Sequence, residues 1–123
     1  MRTMITAHSG AENTPDNTME SVRVQLSCGA DAIEVDVRMR SGKLIMAHDD
    51  ALAGTDYDAL EGCLRAAAKC DGVIVNLDLK QPDLVRPAAE LAAACGMTGR
   101  ILFTGDLISA DDIACAREKQ LTI

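Results

Sequence analysis

The chain has 123 residues, 12 Lys and Arg against 19 Asp and Glu, 48% hydrophobic residues, one Tyr, one Phe and no Trp, which is room for one domain. A net charge of −7 argues against nucleic-acid binding, because counterion release needs clustered Lys and Arg, and single strands need aromatic side chains to stack on. The apolar runs fall far short of the roughly 20 residues that span a bilayer, and the N-terminus lacks the basic and apolar regions of a signal peptide, so a soluble cytoplasmic protein is expected.

Thr3 to Ala7 reads as a first strand and ends on His8. A helix is predicted from about Thr18 to Cys28, with Pro15 and Asp16 before it, Asn17 and Glu20 spaced as a capping box, and Gly29 as the stop. Ala32 to Arg38 reads as the second strand. Ser41-Gly42 between two extended runs predicts a hairpin that returns along Lys43 to Ala47. Helices follow at about Tyr57 to Lys69, Pro82 to Cys95 and Ala110 to Lys119, separated by strands at Gly72 to Leu79 and Arg100 to Thr104. Leu121 to Ile123 begins a further apolar run. Cys28, Cys63, Cys70, Cys95 and Cys115 form no CxxC pair and lie in Ala- and Leu-rich surroundings. They are expected as reduced packing residues rather than as a disulfide set, a catalytic thiol or a zinc site.

Strand and helix alternating at this spacing imply right-handed crossovers and a parallel sheet covered on both faces. Two architectures fit: a five-stranded doubly wound sheet of the flavodoxin or receiver type, or the first half of a (β/α)₈ barrel, whose full form needs about 250 residues.

The polar residues separate these. Residues two apart in a strand share a face, so Glu34, Asp36 and Arg38 oppose Ile33, Val35 and Val37, and Asn76, Asp78 and Lys80 oppose Val75, Leu77 and Leu79. Thr6 and His8 share a side in the same way. Strands buried under helices on both faces read as continuous apolar runs, and these do not. Carboxylates recurring near the C-terminal ends of neighbouring strands point instead to a polar interior, the setting that a barrel mouth provides. An open sheet with one wet face would give the same alternation without chemistry. Both histidines of the chain, His8 and His48, directly follow an apolar run beside small or acidic residues, which favours acid/base work. Lys80 is either a solvated charge or a phosphate contact. A receiver domain needs an acidic pair after its first strand, where this chain has His8-Ser9-Gly10.

Taken together, the motifs resemble the glycerophosphodiester phosphodiesterase family. His8-Ser9-Gly10 is similar to the family's His-Arg-Gly, and Pro15-Asp16-Asn17-Thr18 to its Pro-Glu-Asn-Thr. Gly29 to Val37, the Ser41-Gly42 turn and Ala47-His48-Asp49 continue the pattern, and Asn76 to Lys80 looks like its Glu-x-Lys strand. The resemblance runs over about residues 4 to 80, and residues 1–123 are then the N-terminal portion of such a domain. It implies a (β/α)₈ barrel of which this chain holds about the first half, hydrolysing a glycerophosphodiester to glycerol phosphate and an alcohol in lipid metabolism. Glu34, Asp36 and Asp78 would be metal ligands, His8 and His48 the acid/base pair, and Lys80, with Ser9, the phosphate contact. Hard oxygen donors suit Mg²⁺ or Ca²⁺.

Three positions depart from the family. Ser9 stands where an arginine grips the phosphate, Asp78 replaces a longer glutamate, and Ala51 to Asp56 is shorter than the insertion many members carry. Small-molecule phosphodiester substrates are the expected partners, with self-association through unpaired barrel edges. The competing readings are a degenerate barrel that binds a phosphorylated ligand without turnover and a receiver-like signalling domain.

Overall fold

The computed structural model describes residues 2–123. Its elements in chain order are β1 (Thr6–Ala7), α1 (Met19–Ser27), β2 (Ala32–Arg40), β3 (Lys43–Met46), α2 (Leu60–Ala68), β4 (Ile74–Leu79), α3 (Val85–Ala94), β5 (Ile101–Thr104) and α4 (Ala110–Lys119). The strands form one sheet in the order β1-β2-β4-β5, parallel throughout, with β3 added antiparallel to the C-terminal end of β2. Thr122 pairs parallel with Leu102, so the run at Leu121 to Ile123 does begin to extend the sheet beyond β5.

Two observations choose the architecture. Leaving the hairpin strand aside, neighbours in the sheet are neighbours in the sequence, whereas a doubly wound sheet reverses direction at a switch point. The helices also form a single layer, with α1 on α2, α2 on α3 and α3 on α4. The expected cover on both faces is therefore corrected to cover on one. Ile33, Val35, Val37, Val75, Leu77, Leu79 and Phe103 point into that layer and pack in one core with Val22, Leu60, Leu64, Val85, Ala88 and Cys115. The opposite face carries Glu34 beside Asn76 and Asp36 beside Asp78. An α/β sheet in sequential order with helices outside and polar residues inside is the first part of a parallel barrel.

Where elements differ from expectation, long-range contacts are the cause. β1 is shorter because Ile5 N–H is taken by the Asp31 carboxylate at 2.9 Å and its carbonyl accepts from both Asp31 and Ala32. α2 begins later because the chain before it lies along β3, with Met46 N–H on Asp58 O and a bridge between Ile45 and Ala59. α1 is capped by Thr18, whose hydroxyl accepts from Ser21 N–H, rather than by Asn17. The hairpin forms as expected: Ser41 and Gly42 both have positive φ, 51° and 76°, the signature of a type I′ turn. Cys63, Cys95 and Cys115 are buried, Cys70 is half-buried and Cys28 is exposed; all five are free thiols. Burial pushes the Cys63 thiol up to about 12, which leaves it unreactive. Among the described residues no helix is long and apolar enough to cross a membrane.

Candidate active site

Strand alternation fixes the centre of the site. Glu34 and Asp36 project from β2 and Asp78 from β4 on the face away from the helices, and one carboxylate oxygen of each lies within 4.8 Å of the others. Glu34 and Asp36 are buried. Burial raises the Glu34 carboxyl, assisted by the Asp36 charge and opposed by the Ser9 N–H that it accepts. Burial of this kind disfavours the charged form unless a positive charge stands beside it. The donor set is three hard oxygens with no sulfur, which fits Mg²⁺ or Ca²⁺. Lys80, at the end of β4, sits 2.8 Å from Asp78 Oδ2 and 3.3 Å from Asp36 Oδ1. The hydrogen bond to Asp78 raises its pKa, burial works against this, and the Asp36 charge adds to it. Lys80 is thus a fixed cation beside the carboxylates.

The histidines stand at the rim. The His8 side chain is 81% exposed and that of His48 65%. His8 Nδ1 lies 2.8 Å from the Ser9 carbonyl, and a carbonyl only accepts, so Nδ1 carries the proton and Nε2 is presented 3.5 Å from Glu34 Oε2. The Ser9 carbonyl and then the Glu34 charge raise the His8 pKa. His48 repeats the device, with Nδ1 2.9 Å from Asp49 Oδ1. Each imidazole is oriented through Nδ1 by the residue that follows it, which leaves Nε2 outside that bond. His48 comes to this end of the sheet because β3 returns antiparallel along β2, and Arg38 Nε donates to its carbonyl at 3.0 Å. A cavity of about 610 Å³ opens beside it, lined by Asn17, Ala47, His48, Asp49 and Tyr57 among others.

Ser9 turns inward. It is 6% exposed, its N–H donates to Glu34 Oε2 at 3.2 Å and its hydroxyl accepts from Asn17 N–H at 2.6 Å. Sequence reasoning missed the residues behind the carboxylates. Asn17 bonds Asp36 twice, at 2.8 Å from Nδ2 to Oδ2 and at 2.8 Å from Asp36 N–H to Oδ1. Gln25 Oε1 accepts from Glu34 N–H at 3.0 Å while its Nε2 donates to Ser21 Oγ, which also accepts from Gly10 N–H. The available signal was polar residues at i and i+4, Ser21 and Gln25, on the same helix as the buried Val22.

The sequence and the fold are both similar to those of known proteins. Residues 8–92 match the model of the glycerophosphoryl diester phosphodiesterase family. A glycerophosphodiester phosphodiesterase of Caldanaerobacter subterraneus subsp. tengcongensis is 37% identical over 57 residues, 45% of this chain and 24% of that one. The fold is similar to crystal structures of glycerophosphodiester phosphodiesterases from Parabacteroides distasonis (TM-score 0.79, 16% identity, 97% of this chain and 62% of that one) and Agrobacterium tumefaciens (TM-score 0.76, 21% identity, 95% and 64%). The matched stretch is thus about a quarter of the curated relative, and the chain spans under two thirds of each solved structure.

Proposed function

Since the chain belongs to the glycerophosphoryl diester phosphodiesterase family, we propose that it supplies the catalytic end of a barrel that hydrolyses glycerophosphodiesters to glycerol phosphate and an alcohol, a step of lipid metabolism. The observation that carries this reading is the meeting of the Glu34, Asp36 and Asp78 carboxylates within 4.8 Å, inside the stretch that matches the family. These three residues would hold Mg²⁺ or Ca²⁺. When bound, the cation neutralises the phosphodiester and stabilises charge growing on its oxygens.

The remaining work falls to the chain's own side chains. Lys80 steadies the phosphate from the end of β4. Ser9, whose hydroxyl is engaged by Asn17, borders the phosphate without the charge an arginine would bring. One of His8 and His48 takes the proton of the attacking hydroxyl through Nε2, and the other delivers a proton to the leaving oxygen as the phosphorus–oxygen bond to the alcohol breaks. Each transfer is typically worth about 10²- to 10⁴-fold. The attacking hydroxyl is water or the substrate's own glycerol hydroxyl; in the second case water opens the cyclic phosphate to the same product. A cytoplasmic setting belongs to this proposal and is supported by five thiols left unpaired.

The test is turnover of glycerophosphodiesters by the chain carried to the length of its solved relatives, with Mg²⁺ or Ca²⁺ present. Hydrolysis is expected, with His8→Ala and His48→Ala each at least about 100-fold slower in kcat. No turnover, or activity indifferent to both substitutions, would leave a barrel that binds a phosphorylated ligand without cleaving it. The buried Ser9 in place of the arginine makes that the second reading.

A further inference from the structure

We propose that Asn17 is a positioning residue for the cation site, holding the Asp36 carboxylate in its ligating orientation, with Ser9 as the pin that holds Asn17. The proposal rests on the reading of Glu34, Asp36 and Asp78 as cation ligands.

Asn17 lies in the loop between β1 and α1, almost fully buried, with a left-handed φ of 57°. Asn is among the residues that tolerate this conformation. The backbone N–H of Asp36 can only donate, so the Asn17 oxygen must face it at 2.8 Å. That assignment turns the amide nitrogen toward Asp36 Oδ2, also at 2.8 Å. One side chain therefore grips both the backbone and the carboxylate of the same residue. Free rotation of the Asp36 side chain is removed, and Oδ1 is left facing Lys80.

Ser9 completes the arrangement. Its hydroxyl accepts Asn17 N–H at 2.6 Å and its own N–H donates to Glu34 Oε2 at 3.2 Å. A single loop thus restrains one oxygen of Glu34 and one of Asp36. Partners behind a ligand that fix its orientation typically change metal affinity about 10- to 100-fold when removed. The substitution of Ser for the family's arginine at position 9 also takes on a structural sense: the short hydroxyl reaches the loop backbone, where a guanidinium on a long stem would reach outward.

Isothermal titration calorimetry with Ca²⁺ alone, on the full chain, tests this. Asn17→Gly deletes the side chain while permitting the left-handed backbone, and is expected to weaken Ca²⁺ binding about tenfold or more. Asp112→Asn, at a carboxylate that bonds Asp83, Val85 and Ser109 and none of the three cation ligands, also destabilises the fold and serves as the reference for a purely structural effect; its Ca²⁺ affinity should match wild type. Asn17→Gly binding within twofold of wild type, while Asp36→Ala binds far more weakly, would overturn the role of Asn17 and leave the cation site standing. Equal binding by wild type and Asp36→Ala would overturn the site itself, and the proposal with it. Should Asn17→Gly prove unfolded by circular dichroism, Ser9→Ala carries the test: a loss of about threefold or more supports the proposal, and unchanged affinity overturns it.

Discussion

Asp112 accepts the backbone N–H groups of Asp83, Val85 and Ser109 at 2.8, 3.0 and 3.0 Å, while its own N–H donates to Ser109 Oγ. One carboxylate thereby caps α4 and ties it to the chain entering α3. Burial alone would raise its pKa, but the N–H groups of Ser109, Val85 and Asp83 outweigh that and hold it below the usual value of 3.8. Asp112→Asn leaves an amide nitrogen facing donors and should cost about 2 kcal/mol in urea unfolding at neutral pH. The sign follows from the lowered pKa: this stability is present above the unfolded-state pKa and is lost as pH falls through the folded one. The gap between wild type and Asp112→Asn should therefore close below about pH 3.8, and a gap constant down to pH 2 would refute the assignment. Gly105 is a second such position. Its φ is 147°, and an added Cβ would stand 2.5 Å from the Leu79 carbonyl oxygen. Gly105→Ala should cost about 1–3 kcal/mol, read by the same unfolding measurement.

The β2–β3 hairpin is the element that delivers His48. Its two-residue turn puts both Ser41 and Gly42 at positive φ, and at the first of these positions Asn is preferred to Ser. Ser41→Asn should raise stability by about 0.5 kcal/mol, seen as a higher thermal midpoint; a lower midpoint would argue against the type I′ geometry. This turn was legible in the sequence because Ser-Gly between two alternating runs is a local signal. The same holds for Glu34 with Asp36 on β2 and for Asn76 with Asp78 on β4, since in each strand a period of two sets the polar side chains opposite the apolar ones. The residues behind them were not legible. Asn17 sits 19 positions from Asp36 and Gln25 nine from Glu34, and as local signals they read as a helix cap and a solvated helix side chain. Capping chemistry favoured Asn17 at the start of α1, but Thr18 takes that place because Asn17 is claimed by β2 across the sheet. The late starts of α2 and α3 have the same origin, in a bridge to β3 and in the Asp112 carboxylate.

At the scale of the molecule, helices cover one face of the sheet and the other face is polar, which is how a barrel sheet is built. A sheet of this kind balances its backbone donors and acceptors only when every strand has neighbours on both sides. Among the described residues β1 pairs only with β2, and β5 meets only the single bridge at Thr122 on its outer side. The approach to β1 is apolar and open, with Met4 56% and Ile5 63% exposed. Exposed edges flanked by apolar side chains template pairing with another chain. Opposing this is the charge of −7, whose repulsion between copies is screened over about 8–10 Å at physiological salt. Contact at an edge is shorter than that range, so raising salt should favour association. Light scattering on the isolated 123-residue chain is expected to show a dimer or larger species that grows between low and 0.5 M salt, and Ile5→Lys, which places a charge beside the β1 edge, should reduce it. A monomer at all salt concentrations that unfolds cooperatively would mean that the edges are satisfied within one chain, and the account of β1 as an open edge would fall.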